Sequence, residues 1–110
     1  MQLQIDRSDE PGWAIISPAG EIDLATVAQL EEVLAQCVTA GDTDIAVDLT
    51  RVTFMDSTGL RSLLSANQSL ATSGRRLVLI VAGGPIDRLL DISGVAQTLE
   101  TFQSLEAAKG

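Results

Sequence analysis

At 110 residues, with 45% of them hydrophobic and a formal net charge of −8, the chain is sized for one domain with a modest core and is too apolar for disorder. It holds no histidine, one cysteine and one lysine, which excludes most zinc sites and nearly all Ser–His or Cys–His catalysis. The acidic balance argues against nucleic acid and anionic lipid as partners, and favours a soluble partner with a basic patch.

The start, Met1-Gln2-Leu3-Gln4-Ile5-Asp6, has neither a basic segment nor an apolar signal, which predicts a cytoplasmic protein forming a single domain over 1–110. Gln2 to Asp6 alternates polar and apolar and predicts an edge strand with one wet face. Asp9-Glu10-Pro11-Gly12 reads as a turn, and Trp13 to Ser17 as a second strand that completes an antiparallel hairpin. Pro18-Ala19-Gly20 is expected to end that strand. Thr26 with Gln29 fits a capping box, and Val27, Leu30, Val33, Leu34, Cys37 and Val38 fall on one helical face, stopped by Gly41. On that stripe the lone Cys37 reads as a small buried hydrophobe rather than a reactive thiol, and it has no partner for a disulfide.

A third strand is predicted from Asp44 to Leu49, after which Thr50 to Met55 leads into the turn Asp56-Ser57-Thr58-Gly59-Leu60. Asp56, Ser57 and Thr58 are residue types that cap helix starts, and Leu60, Leu63, Leu64, Leu70 and Ala71 give the inward face of the helix that follows, ended by Gly74. The hydroxyls of the turn should therefore face solvent at the positive end of a helix dipole. Arg76 to Val81 reads as a strand covered on both faces, and the apolar run there is far too short to span a bilayer. Gly83-Gly84-Pro85 opens a short helix with Ile86, Leu89 and Leu90 inward. It lacks the lysine and hydroxyl residue of a phosphate loop. Ser93-Gly94 closes the helix, Val95 to Thr101 holds a brief last strand, and Gln103 to Lys109 a terminal helix. Strands alternating with helices after the hairpin predict an α/β fold with right-handed crossovers and a mostly parallel sheet.

The turn at 56–60 resembles the signature of the anti-sigma factor antagonists, the single-domain members of the STAS family. Three further blocks agree in spacing with that family: Gly20-Glu21-Ile22-Asp23, Asp48-Leu49-Thr50-Arg51-Val52 and Leu90-Asp91-Ile92-Ser93-Gly94-Val95. The resemblance implies the STAS fold, a mixed and mostly parallel sheet of four to five strands packed with about four helices. It implies a protein that is no enzyme and holds no cofactor or metal. In its unphosphorylated form it binds an anti-sigma factor serine/threonine kinase and frees a sigma factor. Phosphorylation of Ser57 turns binding off, with Thr58 as a competing acceptor, and a metal-dependent serine phosphatase resets the switch. The partner surface implied comprises Asp23, Asp56, Ser57, Thr58, Gly59, Arg61, Ser62 and Ser65, the last three as the exposed side of the second helix. Many members carry glycine at the position of Arg61, a departure that bears on partner choice.

Each of these residues has a plainer reading. Ser57 could be a helix cap alone, and Asp56 a cap or a carboxylate that orients the Ser57 hydroxyl. Gly59 could serve the helix start or the approach of a partner backbone. Asp23 could be an ordinary loop charge. A non-phosphorylated STAS module, such as a transporter accessory subunit, is the competing function. An aspartyl-phosphate receiver fails on inventory, because the only lysine, Lys109, lies in the terminal helix rather than after a late strand.

Overall fold

The computed structural model describes residues 2–110. In chain order these form β1 (Leu3–Glu10), β2 (Trp13–Ile22), α1 (Val27–Ala40), β3 (Asp44–Asp48), β4 (Arg51–Met55), α2 (Ser57–Ala71), β5 (Leu77–Ile80), α3 (Pro85–Ser93), a 3-10 turn over Val95–Gln97, β6 (Glu100–Phe102) and α4 (Leu105–Lys109). The sheet runs β1-β2-β3-β5-β6, with β4 also beside β2. Only β1–β2 is antiparallel; every other pairing is parallel. This is the α/β sheet expected, with four helices and six strands rather than four to five.

The additional strand is β4. The sequence predicts only a lead-in to the turn over residues 50–55; in the strand observed there, Thr53 and Phe54 are both exposed. Residues 51–55 are a strand because β2 offers them an edge. β2 does not stop at Pro18: its first half pairs with β3 from Trp13 to Ile16, and its second half with β4 from Ala19 to Ile22. Pro18 falls in the interval between the two parallel partners, where the ladder on that side lapses and a missing N–H is tolerated. Gly20 sits at the register shift with φ +120°, and a Cβ there would clash with the carbonyl oxygen of Gln2, the residue just before β1. Two residues that look like strand breakers thus mark a change of partner.

The side chains sort onto two faces. Ile16, Ile45, Val47, Leu77 and Leu79 of the sheet share one core with Leu30 and Leu34 of α1, Leu63 and Leu70 of α2, and Ile86 and Leu90 of α3. The opposite face carries a smaller cluster, Trp13, Ala46, Val78 and Ile80, closed by Ala108 of α4. All four residues of β5 are buried, as its unbroken apolar run required. Cys37 lies in the larger core at 2% exposure, and burial pushes its thiol above the ordinary value. Gly41 does not end α1 in a left-handed turn, having φ −116°. Instead the Arg75 guanidinium donates to the carbonyls of Cys37, Val38 and Thr43 at 3.0, 2.9 and 2.6 Å. Among the described residues no helix is long and apolar enough to cross a membrane.

Candidate functional site

The end of β2 and the end of β4 are register partners, Ile22 opposite Met55. The loops that leave them therefore lie side by side at the carboxyl ends of the parallel strands. The Asp56 N–H donates to the Ile22 carbonyl at 3.1 Å, tying the turn before α2 to the Asp23 loop.

Asp56 is the N-cap of α2. Its Oδ1 accepts from the Thr58 N–H at 2.9 Å and, by a short hydrogen bond, from the Thr58 hydroxyl. The Thr58 hydroxyl above all, helped by the N–H groups of Thr58, Gly59 and Leu24, holds the Asp56 carboxyl below the usual carboxylate range. Ser57, the first residue of α2, is exposed, and among the described residues its hydroxyl meets no hydrogen-bond partner. Two neighbouring hydroxyls thus have opposite situations: Thr58 is engaged by Asp56, and Ser57 is free at a helix start. Oδ1 of the carboxylate expected to orient Ser57 accepts from Thr58.

Gly59 is buried at the start of α2, packed on the ends of the two strands. A Cβ on it would stand 2.6 Å from Met55 Cγ and 2.8 Å from Ile22 Cγ2. The missing side chain lets α2 start directly against the ends of β2 and β4. Ser62 is likewise not on the exposed side of the helix. It is 6% exposed, and its hydroxyl donates to the Thr58 carbonyl at 3.1 Å, a bond that satisfies it one turn back. Ser62 also lines, with Leu34, Ala35, Ser65 and Ala66, a groove of about 370 Å³ between α1 and α2. Arg61 and Ser65 are exposed, and Arg61 lies four positions after Ser57, so the two share a helix face.

The Asp23 loop is a built turn. Asp23 Oδ1 accepts from the N–H groups of Ala25 and Thr26 at 2.9 and 3.1 Å. The Thr26 side chain, 3% exposed, donates to the Glu21 carbonyl at 2.8 Å and accepts from the Asp23 N–H at 3.0 Å. Thr26 therefore closes the loop rather than forming the capping box, and makes no side-chain bond into α1. The sequence reading passed over Leu24, which stands 79% exposed at the tip of this loop. The available signal was an apolar residue that belongs to neither the strand nor the helical stripe.

This site lies in a chain whose residues 3–108 match the STAS domain family profile. The chain belongs to the STAS domain family. Over 106 residues this STAS domain is 31% identical to an anti-sigma-B factor antagonist of Staphylococcus aureus, covering 96% of this chain and 98% of that relative. The same identity and coverage hold for an anti-sigma-B factor antagonist of Staphylococcus epidermidis. Among solved structures, an anti-sigma factor antagonist from Mycobacterium paratuberculosis superposes with a TM-score of 0.89 at 24% identity, over 97% of this chain and 91% of that one. The anti-sigma factor antagonist SpoIIAA in its unphosphorylated form gives 0.73 at 22% identity, over 98% and 94% of the two chains. These structural likenesses bear on the fold.

Proposed function

We propose that this STAS domain is an anti-sigma factor antagonist operated by phosphorylation of Ser57. The observation that carries the reading is the contrast between the two hydroxyls of the turn. A kinase needs a hydroxyl that is exposed and uncommitted, and Ser57 has one while Thr58 is held by Asp56. Relatives matched over nearly their whole length are named anti-sigma-B factor antagonists, which supports the same reading.

In this scheme the unphosphorylated chain presents Ser57, the Asp23 loop and the Arg61 and Ser65 side of α2 to an anti-sigma factor serine/threonine kinase, and so releases the sigma factor. Phosphate adds about −1.5 to −2 charges at pH 7. The first turn of α2 can accept that charge without refolding, because its N–H groups and dipole favour an anion. SpoIIAA has the same overall fold in its unphosphorylated and phosphorylated forms, which match this chain with TM-scores of 0.73 and 0.71 at 22% identity. An interface formed around a neutral hydroxyl must instead desolvate the new charge beside Asp23 and Asp56, at a cost of several kcal/mol. At about 1.4 kcal/mol per tenfold in affinity, that turns binding off. A metal-dependent serine phosphatase would restore the first state. The chain acts as substrate and ligand, without turnover or cofactor of its own.

The test is to incubate the chain with the anti-sigma factor kinases of its genome and ATP, then locate the phosphate by peptide mass spectrometry. One phosphate on Ser57 is expected, and Ser57→Ala should be unlabelled, folded and constitutively bound. A phosphate on Thr58 moves the acceptor by one residue. Absence of both labelling and binding overturns the switch in favour of a non-phosphorylated STAS module.

A further inference from the structure

Among the described residues three large apolar side chains are markedly exposed: Leu24 at 79%, Ile92 at 78% and Phe54 at 45%. Ile92 lies on α3 and Phe54 on β4, whereas Leu24 occupies the loop beside the Ser57 turn. A singly exposed leucine is ordinary on a protein surface. Leu24 differs from such a residue in how it is held. Both ends of its loop are buried, Ile22 at 0% and Thr26 at 3%. Between them the backbone is fixed by the Asp23 carboxylate, which accepts from Ala25 and Thr26, and by the Thr26 hydroxyl on the Glu21 carbonyl. The loop is tied to the turn that Ser57 follows by the Asp56 N–H, which donates to the Ile22 carbonyl at 3.1 Å. The leucine is thus presented on a preformed backbone, so burying it in a partner requires little further ordering of the loop.

Its surroundings define what would receive it. Asp23 and Asp56 of the two adjoining loops and Glu21 at the end of β2 are acidic, in a chain of net charge −8, and the cation of the same surface, Arg61, lies one turn along α2. We infer that Leu24 is the apolar anchor by which this domain engages its kinase, seated in an apolar pocket of that partner whose rim carries cationic side chains. The inference rests on the proposed switch and adds to it a residue that sets partner choice. It also places the anchor next to the modified hydroxyl, so that a phosphate on Ser57 would have to be desolvated at the same rim.

The experiment measures dissociation constants for the anti-sigma factor kinases of the same genome, comparing wild type, Leu24→Ala, Leu24→Met and Ser57→Asp, with a thermal midpoint for each. Leu24→Ala is expected to weaken binding by about tenfold or more, mostly through faster dissociation, while Leu24→Met stays near wild type and neither midpoint moves. An affinity for Leu24→Ala within about twofold of wild type, with Ser57→Asp still blocking, overturns the anchor and leaves the switch standing. A loss of affinity matched by a lowered midpoint assigns the effect to folding of the loop, and also overturns the anchor. A wild-type chain bound by no kinase of its genome overturns the switch itself, and the anchor with it.

Discussion

Ser57 and Thr58 offer the same functional group one residue apart, and Asp56 separates them. By accepting from the Thr58 N–H and hydroxyl, Asp56 closes the first turn of α2 and takes the second hydroxyl out of contention. The same bonds make acid stability depend on this carboxylate. Its folded pKa is depressed, so its contribution to stability is present above the unfolded value near 4, and is lost as pH falls through the lower folded value. Asp56→Asn keeps an oxygen that can accept from the N–H and the hydroxyl but carries no titrating group. The variant should therefore show a smaller drop in urea midpoint than wild type between pH 5 and pH 2, by an order-of-magnitude reading of that window. Equal acid limbs for the two proteins would mean that the Thr58 contacts do not favour the charged form in solution.

At the scale of elements, the junction of β2, β4 and α2 is where the site is made, and Gly59 is its tightest point. Gly59→Ala would place a methyl within 3 Å of buried Met55 and Ile22, which are 3% and 0% exposed. Overpacking of this kind costs about 1–3 kcal/mol, against which alanine recovers up to about 1 kcal/mol of helix propensity. A net fall in stability is expected, read from a denaturation midpoint, and an unchanged or raised midpoint would show that Met55 repacks freely. Arg61 belongs to the exposed face of the same helix. Arg61→Gly should lower stability by about 1 kcal/mol through propensity alone, and should weaken kinase binding if the guanidinium pairs with an acidic group of the partner. Unchanged affinity and phosphorylation rate would leave Arg61 a solvated side chain. Much of this junction was legible in the sequence: the cap at Asp56, the exposed Ser57 and the inward Leu60 and Leu63 all follow from residue type and helical period. What escaped depended on contacts between distant segments. β4 exists because a second half of β2 is there to pair with it, and Ser62 is inside because α1 covers that side of α2. Thr26 closes the loop before α1 because the Glu21 carbonyl lies within its reach. The first two partners lie outside the window that a periodicity argument sees, and the third, five residues away, is a side-chain bond to backbone that hydrophobic period does not report.

For the whole molecule, the matter is whether a charge at one surface residue can control binding while the domain stays as it is. The two cores sit on the two faces of the sheet, and Ser57 belongs to neither. Its side chain points to solvent from the first position of a 15-residue helix whose inner residues, Leu63 and Leu70, are fully buried. A negative group there meets the favourable end of the helix dipole, worth about 0.3–1 kcal/mol when exposed. The neighbouring acidic groups Asp23 and Asp56 oppose it only through screened interactions in water. Folding should therefore be indifferent to the charge. Binding should not be, since an interface removes the water that screens it. Ser57→Asp and Ser57→Glu are accordingly expected to keep the thermal midpoint and the far-UV circular dichroism of wild type while weakening kinase binding by about tenfold or more. High salt should not restore that binding, because the penalty arises from desolvation at contact rather than from long-range repulsion. A lowered midpoint would place Ser57 against the core and remove the basis for a surface switch, and recovery of affinity in salt would assign the effect to repulsion across the whole acidic surface.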